Sequence, residues 1–279
     1  MVDPEIRQMS FDDIPAALTL CRQAGWNQTS ADWRRILAYE PEGCFVAVLD
    51  GHVAGTVTST CYSTDLAWIG MMLVDHSHRR RGIATRLMTA CLQFLRSKGI
   101  GCIKLDATPL GEPVYRRLGF QREWTFHRWA LPSARDVSES VNLESSGLKP
   151  SVEGNIDSEL DRIAFGVDRT SWLDRLRQDS EIIVAANGFG MMRGGHLADY
   201  LGPVVATRPT DAEQIIRALI QERKMDVFWD IPGPNHAAEK LAESLGFEPV
   251  RDLTRMWLGD QIPECALSIQ YALSDPGTG

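Results

Sequence analysis

The chain has 279 residues, of which 44% are hydrophobic and 24% are charged, and its 29 basic and 37 acidic side chains leave a net charge of −8. This length predicts two domains or one large one, and the composition is typical of a globular protein, which excludes a disordered chain and a coiled coil. The acidic balance argues against broad binding to nucleic acids or acidic membranes, because both require excess positive charge.

No apolar run in the sequence approaches the ~18 residues that a membrane span requires. The first residues also lack the basic-then-apolar pattern of a secretory signal. The six cysteines are scattered, form no CxxC motif and mostly have apolar neighbours, as reduced cysteines in a protein core do. We therefore expect a cytoplasmic protein with no disulfide framework and no metal site.

The first half of the chain alternates between helical and β-type patterns. Residues 7–25 contain a helical pattern that Ser10 opens as a cap and Gly25 ends. Apolar residues at helical spacing predict further helices over residues 29–39, 83–98 and 113–118. Runs rich in β-forming residues predict strands over residues 44–49, 53–60, 67–74, 102–107 and 122–131. This mixed order predicts an α/β fold, in which a mixed and mostly antiparallel sheet is flanked by helices.

The pattern of the first half then repeats. Residues 132–141 are polar and aperiodic, which predicts a linker, and Leu245-Gly246-Phe247 lies 127 residues after Leu118-Gly119-Phe120. We interpret the chain as a diverged tandem duplication with domains over residues 1–131 and 142–258 and a C-terminal extension over residues 259–279. Two unrelated α/β domains are the alternative.

A basic, glycine-containing turn separates an apolar strand from the longest predicted helix, over residues 74–85. Backbone N–H groups at a helix start bind anions, and the helix dipole adds to this attraction. Gly82 has no side chain to keep phosphate oxygens from the main chain, and Arg79, Arg80 and Arg81 supply positive charge. The turn therefore predicts a site for a diphosphate-bearing ligand, with a solvated basic helix start as the alternative.

Two motifs in this half resemble the signatures of the GNAT superfamily of N-acetyltransferases. Arg79-x-x-Gly82-x-Ala84 resembles the acetyl-CoA pyrophosphate loop of that family, and Tyr115 followed by Leu118-Gly119-Phe120 resembles its second signature. The resemblance covers residues 5–131. The second half looks like the degenerate C-terminal acetyltransferase-like domain of some members, so the whole chain resembles a tandem GNAT protein.

This resemblance implies an acetyl-CoA-dependent reaction in which a neutral amine attacks the thioester directly. It implies that Tyr115 protonates the departing CoA thiolate, while a tyrosine that packs its ring on the sheet is the alternative. The implied acetyl-CoA-binding residues are Leu73, Val74, Arg79, Arg80, Arg81, Gly82, Ile83, Ala84, Thr85 and Thr108. Thr108 stands where the family commonly has an asparagine.

The strand over residues 67–74 offers no glutamate of the kind that many family members use as a general base. Asp106 is the candidate for this role, because it ends a buried strand and shares its side of that strand with Thr108, two residues on. A structural carboxylate that accepts hydrogen bonds from nearby backbone N–H groups is the alternative.

Candidate acceptor-binding residues come from both halves. Trp26, Asn27 and Gln28 lie between the first two predicted helices, where family members generally place acceptor-binding loops. A helix cap beside a packing tryptophan is the alternative. Asp230 and Asn235 are candidates from the second half, as parts of a domain that completes the acceptor pocket, with helix caps and structural ion pairs as the alternative.

The second half lacks a glycine loop at the matching place. Pro209 removes a backbone N–H, Asp211 repels phosphate, and Ala242 stands at the position of Tyr115 when both are counted back from the Leu-Gly-Phe motif. We therefore expect residues 142–258 not to bind acetyl-CoA productively.

These observations predict an acetyl-CoA-dependent N-acetyltransferase that acts on a primary amine of a small molecule, as a monomer or homodimer. A non-catalytic acyl-CoA-binding or sensing protein is one alternative. An acetyltransferase of protein lysines or protein N-termini is the other.

Overall fold

The computed structural model describes residues 3–133, 148, 156–221, 223, 225–259 and 263–279. Its Cα packing divides the chain into two compact units. The first unit contains the residues up to Leu105, a short stretch that begins at Trp257, and Thr278. The second contains Asp106 to Met256 and most of the residues from Pro263 onward.

The described part of the first unit is a mixed sheet with helices packed on it. Its elements are β1 (Glu5–Gln8), α1 (Ile14–Ala24), α2 (Ser30–Tyr39), β2 (Phe45–Leu49), β3 (His52–Cys61), β4 (Leu66–Val74), α3 (Ile83–Ser97) and β5 (Cys102–Ala107), of which β5 continues into the second unit. Strands β1 to β4 pair antiparallel in chain order, and β4 and β5 are parallel. Helix α3 turns Ile83 and Leu87 towards β3, where Gly55 leaves room for them.

Strand β4 bulges where it passes β3. Thr56 lies opposite Leu73 and Thr58 lies opposite Gly70, so two residues of β4 face one residue of β3. Met71, inside the bulge, has a φ of 50°, and its carbonyl accepts a hydrogen bond of 2.7 Å from the Thr56 hydroxyl. On its other side, β4 pairs with β5 only over Leu66–Trp68. Beyond Trp68 this edge of β4 therefore has no strand partner among the described residues.

The second unit is a larger mixed sheet with its own helices. Its elements are α4 (Glu112–Arg117), β6 (Gln121–Leu131), α5 (Ser158–Phe165), α6 (Thr170–Leu176), β7 (Ser180–Ala185), β8 (Gly188–Arg193), β9 (Asp199–Ala206), α7 (Pro209–Ile220), β10 (Val227–Ile231), α8 (His236–Ser244), β11 (Glu248–Gly259) and β12 (Gln270–Ala272). The strand order is β11-β6-β10-β9-β8-β7, with β12 paired to β9. Only the β10–β9 pair is parallel among the register pairs described for this sheet.

Strand β6 belongs to the first half of the sequence but pairs with strands of the second half. It runs antiparallel to β10, with Arg128 opposite Asp230, and has β11 on its other side. The compact units therefore divide after Leu105, whereas the predicted domain boundaries at residues 131 and 142 follow the sequence repeat and stay predictions. Residues 134–141 of the predicted linker lie outside the described residues.

The structure agrees with the predicted cap at Ser10 and end at Gly25, since Ser10 and Asp13 form a capping box before α1 and Gly25 follows its last residue. Two strands were not predicted, and the first is β1, which ends at Gln8. Strand β8 lies in a glycine-rich stretch for which no strand was predicted. Its Gly190 is required by close packing, since an added Cβ would lie 2.5 Å from Cγ2 of Ile215 on α7.

Candidate functional site

The turn between β4 and α3 is held by hydrogen bonds to one carboxylate. Asp75 accepts hydrogen bonds from the backbone N–H of Ser77 at 2.8 Å and from the Gln23 side chain at 3.0 Å. Hydrogen bonds from Ser77 and Gln23 hold the pKa of Asp75 well below its usual range. Asp75 is therefore an ionised anchor that fixes the start of the turn and ties it to the end of α1.

The rest of this turn has the backbone of an anion site. Arg80 and Gly82 have φ angles of 62° and 77°, and a Cβ added to Gly82 would meet no atom within 4 Å. Helix α3 begins at Ile83, and its first turn carries no acidic side chain. The first backbone N–H groups of a helix lack intrahelical partners. Exposed N–H groups, a bare glycine and arginine side chains in solvent together fit a diphosphate.

The unpaired edge of β4 leads directly into this turn. Leu73 and Val74 follow the bulge, and their side chains are buried and half-buried. An extended ligand that carries amide groups can pair with such an edge as an added strand. The structure thus brings together, within the first unit, the predicted acetyl-CoA-binding residues from Leu73 to Thr85.

Tyr115 and Thr108 lie in the second unit, at the start of α4. The half-buried Tyr115 ring packs edge-to-face on Phe120, with 6.1 Å between the ring centroids. Its hydroxyl has no hydrogen-bond partner among the described residues, and burial raises the pKa of the phenol. Thr108 closes the turn before α4, since its side-chain and backbone oxygens accept hydrogen bonds from Gly111 N–H at 3.3 and 2.9 Å.

Asp106 is fully buried at the end of β5. Both of its oxygens accept hydrogen bonds of 2.9 Å from Arg255, which lies on β11 and is 4% exposed. Burial raises the pKa of Asp106 to about 6 although Arg255 opposes the shift. This geometry favours the structural role that the sequence left open, with an arginine as the partner in place of backbone N–H groups.

The loop between α1 and α2 combines a helix cap with an available acceptor atom. Thr29 caps α2 through a capping box with Asp32. Trp26 and Gln28 are half-buried and Asn27 is buried. The side-chain oxygen of Gln28 is buried and accepts no hydrogen bond within the described residues.

Asp230 and Asn235 have structural partners in the second unit. Asp230 is fully buried and accepts hydrogen bonds of 2.9 and 2.8 Å from Arg128. Asn235 caps α8 through Ala238 N–H, and its amide donates to three backbone carbonyls. These contacts correspond to the ion pair and the helix cap that the sequence left open.

In the second half, other segments of the protein contact the matching turn between β9 and α7 and the strand edge before it. Pro209 starts α7, and Asp211 in its first turn accepts a hydrogen bond of 3.0 Å from Asn187. On β9, Val204 and Val205 pair with β12, which covers this edge. Ala242, in the place of a tyrosine, is fully buried.

Besides β8, two features of the second half were missed from the sequence, namely β12 and Arg255 as the partner of Asp106. A signal for Arg255 was present, because it follows Arg128 by 127 residues, the same separation as the two Leu-Gly-Phe motifs. Strand β12 has only three residues, too few for a periodic pattern.

Comparison with known proteins identifies the family of both halves. The model of the acetyltransferase (GNAT) family matches residues 11–120, and that of an acetyltransferase (GNAT) domain matches residues 158–271. The uncharacterized N-acetyltransferase YitH of Bacillus subtilis is 24% identical over 250 residues, which are 87% of this chain and 87% of that protein.

Solved structures share the fold over nearly the whole chain. A protein from Pyrococcus horikoshii assigned as an acetyltransferase aligns with a TM-score of 0.84 and 26% identity over 100% of this chain and 97% of its own. A tandem GNAT protein from the clavulanic acid biosynthesis pathway aligns with a TM-score of 0.67 and 14% identity over 93% of this chain and 100% of its own.

No helix within the described residues is long and apolar enough to cross a membrane. In the same part of the chain, no group of three or more histidine, cysteine, aspartate and glutamate side chains is arranged to hold a metal ion.

Proposed function

Because this chain is a tandem GNAT N-acetyltransferase, we propose that its first half transfers an acetyl group from acetyl-CoA to a primary amine of a small molecule. The observation that carries the proposal is the unpaired edge of β4, which runs into a basic helix start free of acidic side chains. An extended ligand with amides along its length and a diphosphate at one end matches both features.

The first unit holds the acetyl donor mainly through its backbone. We assign the pyrophosphate to the N–H groups from Arg80 to Thr85, with Arg79, Arg80 and Arg81 as additional positive charges. Leu73 and Val74 offer main-chain groups to the pantetheine arm. That Thr108 binds acetyl-CoA stays a prediction, and its hydroxyl oxygen already accepts a hydrogen bond from Gly111 N–H.

Bound acetyl-CoA supplies the activated acetyl group, whose thioester carbon the neutral amine attacks directly. The C–N bond forms, the C–S bond breaks, and the nitrogen gives up one proton to a base or to water. The part of Tyr115 is to donate its phenolic proton to the departing thiolate. A raised pKa keeps that proton on Tyr115 at neutral pH, and the hydroxyl has no competing partner among the described residues. That Asp106 acts as the general base stays a prediction. Its pKa of about 6 suits a base, whereas its two bonds to Arg255 and its burial do not.

We propose the loop between α1 and α2 as the acceptor-binding segment. The buried oxygen of Gln28 has no hydrogen-bond donor within the described residues, and a buried acceptor without a partner costs about 1–3 kcal/mol. The N–H groups of an amine satisfy such an oxygen. Trp26 and Asn27 precede Gln28 in the same loop and belong to the proposed segment. That Asp230 and Asn235 bind the acceptor stays a prediction, which their existing hydrogen bonds do not support.

We also propose a cytoplasmic location and a monomer or homodimer. The support for the location is chemical, since all six cysteines are free thiols. Free thiols persist in a reducing compartment.

The experiment that tests the proposal measures release of the CoA thiol from acetyl-CoA with a panel of amines, amino acids and polyamines at mildly alkaline pH. We expect release that depends on one class of acceptor. Gln28→Ala should then raise the KM for that acceptor and leave the KM for acetyl-CoA unchanged. Silence across the panel with acetyl-CoA bound would contradict a small-molecule acceptor. Acetylation of proteins in an extract by labelled acetyl-CoA would then favour a protein acetyltransferase.

A further inference from the structure

Two buried ion pairs in the second unit each join a residue of the first half of the sequence to a residue of the second half. Asp106 of the first half pairs with Arg255 of the second, and Asp230 of the second half pairs with Arg128 of the first. Each carboxylate accepts two hydrogen bonds of 2.8 to 2.9 Å from one guanidinium group. The arginines lie 127 residues apart, so the duplicated strands β6 and β11 provide equivalent arginines.

The Asp106–Arg255 pair lies at the start of the turn that leads along the chain into the tyrosine-bearing helix α4. Two residues after Asp106, the carbonyl of Thr108 accepts hydrogen bonds from the N–H groups of Gly111 and Glu112. The carbonyl of Gly111 in turn accepts a hydrogen bond of 3.3 Å from Tyr115 N–H. Successive hydrogen bonds therefore connect Thr108, two residues after Asp106, to the first turn of α4.

Strand β11 also contacts the far end of this turn. The hydroxyl of Thr254, next to Arg255, donates a hydrogen bond of 3.4 Å to the side chain of Glu112, the first residue of α4. The guanidinium of Arg255 stacks on Trp124 of β6, 4.3 Å from the ring centroid, which restricts its own position. The turn over residues 107–111 is thus held at both ends by neighbouring residues of the second half.

Stability alone gives little reason for this ion pair. A buried ion pair costs much desolvation, and well-packed apolar residues of similar volume are often as stable or more so. What the pair provides is a fixed geometry, because a planar guanidinium that binds both carboxylate oxygens allows little rotation.

We propose that Arg255 is a positioning residue for Tyr115. By binding both oxygens of Asp106, Arg255 fixes the turn over residues 107–111, from which α4 and its tyrosine start. The catalytically silent half thereby takes part in the reaction of the other half without touching its substrates. The effect on turnover rests on the proposed function, whereas the effect on the position of Tyr115 does not.

Arg255→Lys tests this inference, since lysine keeps the charge but loses the planar pair of donors. Arg169→Lys is the matched control. Arg169 is also buried, donates two hydrogen bonds of 2.9 Å to Asp161 and stacks on Phe165, and its remaining described hydrogen bond goes to the Gly279 carbonyl. The protein is labelled with 3-fluorotyrosine, and the ¹⁹F resonance of Tyr115 is assigned by its loss in Tyr115→Phe.

We expect Arg255→Lys to shift or split the Tyr115 resonance and to lower kcat about tenfold or more, because small displacements of reacting groups cost this much. The KM for acetyl-CoA should stay unchanged, since the pyrophosphate turn lies in the first unit. Arg169→Lys should leave the resonance, kcat and KM as in the parent. If Arg255→Lys does not fold, as judged by circular dichroism, Asp106→Asn replaces it, because the amide has nearly the shape of the carboxylate. The Tyr115 resonance alone is then the readout, since Asp106 is itself a candidate base and the kcat of this variant would not separate the two roles.

An unchanged Tyr115 resonance and kcat in the Arg255 variant would overturn the inference. So would equal changes in the Arg255 and Arg169 variants, because they would show a general loss of rigidity. A shifted resonance in a protein that turns over no acceptor would support the positioning role and contradict the proposed function, so the two can fail separately.

Discussion

The two halves contain matching strand–turn–helix segments, β4 to α3 and β9 to α7, with the same order of elements. They differ in whether the strand edge beyond the bulge is paired and in which residues begin the helix. Both strands bulge at the matching place, at Met71 in β4 and at Gly202-Pro203 in β9. Beyond its bulge β4 has no strand partner among the described residues, whereas β9 pairs with β12.

The helix starts differ in the same sense. The first turn of α3 follows three arginines and a glycine in the left-handed region, whereas α7 begins with a proline and carries Asp211. A bulged strand therefore offers an edge in either half. In the second half the three residues of β12 pair with that edge. In the first half the edge of β4 is the one that we propose for the ligand.

The largest expected effect is a loss of acetyl-CoA affinity when Gly82, which the second half lacks, is replaced. Gly82→Asp should weaken acetyl-CoA binding roughly 100-fold or more, because it sets a carboxylate against the pyrophosphate. Gly82→Asn is the matched control, since it meets the same left-handed backbone with a neutral side chain of the same size. Isothermal titration calorimetry measures both affinities. Equal affinities for the two variants would show that the pyrophosphate does not lie at this turn.

A smaller effect should come from a change of Tyr115, whose position in the second half is occupied by Ala242. Tyr115→Phe should lower kcat roughly 100-fold, as removal of a positioned proton donor does. It should leave the Kd for acetyl-CoA unchanged, because the phenol is not part of the pyrophosphate turn. Steady-state kinetics and calorimetry measure the two quantities. A kcat equal to that of the parent would assign the proton donor to another group.

The third effect concerns Asp106, the carboxylate whose side chain is buried against Arg255. Because burial raises the pKa of Asp106 from 3.8 to about 6, the folded state holds a proton there between pH 4 and 6 that the unfolded state releases. The contribution of Asp106 to the free energy of unfolding should therefore fall as the pH rises through this window, by at most about 1.4 kcal/mol per pH unit.

Urea unfolding of the parent and of Asp106→Asn at several pH values measures this contribution as a difference. The subtraction removes the effect of carboxylates with lowered pKa values, such as Asp13 and Glu112. Their contribution to the free energy of unfolding rises with pH, whereas that of Asp106 falls. A difference that does not change with pH would show that Asp106 titrates alike in both states.

The smallest expected effect is none at all. Calorimetry should find one acetyl-CoA per chain, and Asp211→Asn should leave that number unchanged, because β12 still covers the edge of β9. A second binding event in this variant would show that the acidic residue alone keeps the second half silent.

Features that depend on neighbouring residues could be predicted from the sequence. The basic turn before α3, the proline and acid before α7 and the repeated Leu-Gly-Phe motifs are all local patterns, and the structure has them on the expected elements. The start of the first helical segment was predictable as well, because Ser10 forms the capping box with Asp13 that a serine three residues before an acidic residue indicates.

Features that depend on the order of strands could not be predicted in this way. Asp106 and Arg255 are separated by 149 residues, and nothing near Asp106 shows which strand lies beside β5. The same holds for β12, whose three residues gain their meaning only from pairing with β9. Sheet neighbours of this kind follow from packing of the whole chain rather than from periodicity.

The exchanged arginines have a consequence for the history of the duplicated gene. Before the duplication diverged, loss of cofactor binding in one copy would have made that copy dispensable. Once Asp106 relied on Arg255 and Asp230 relied on Arg128, deletion of the second half would have left the buried Asp106 carboxylate without its cation. On the function proposed above, the second half can lose its own chemistry but cannot be deleted without destabilising the first.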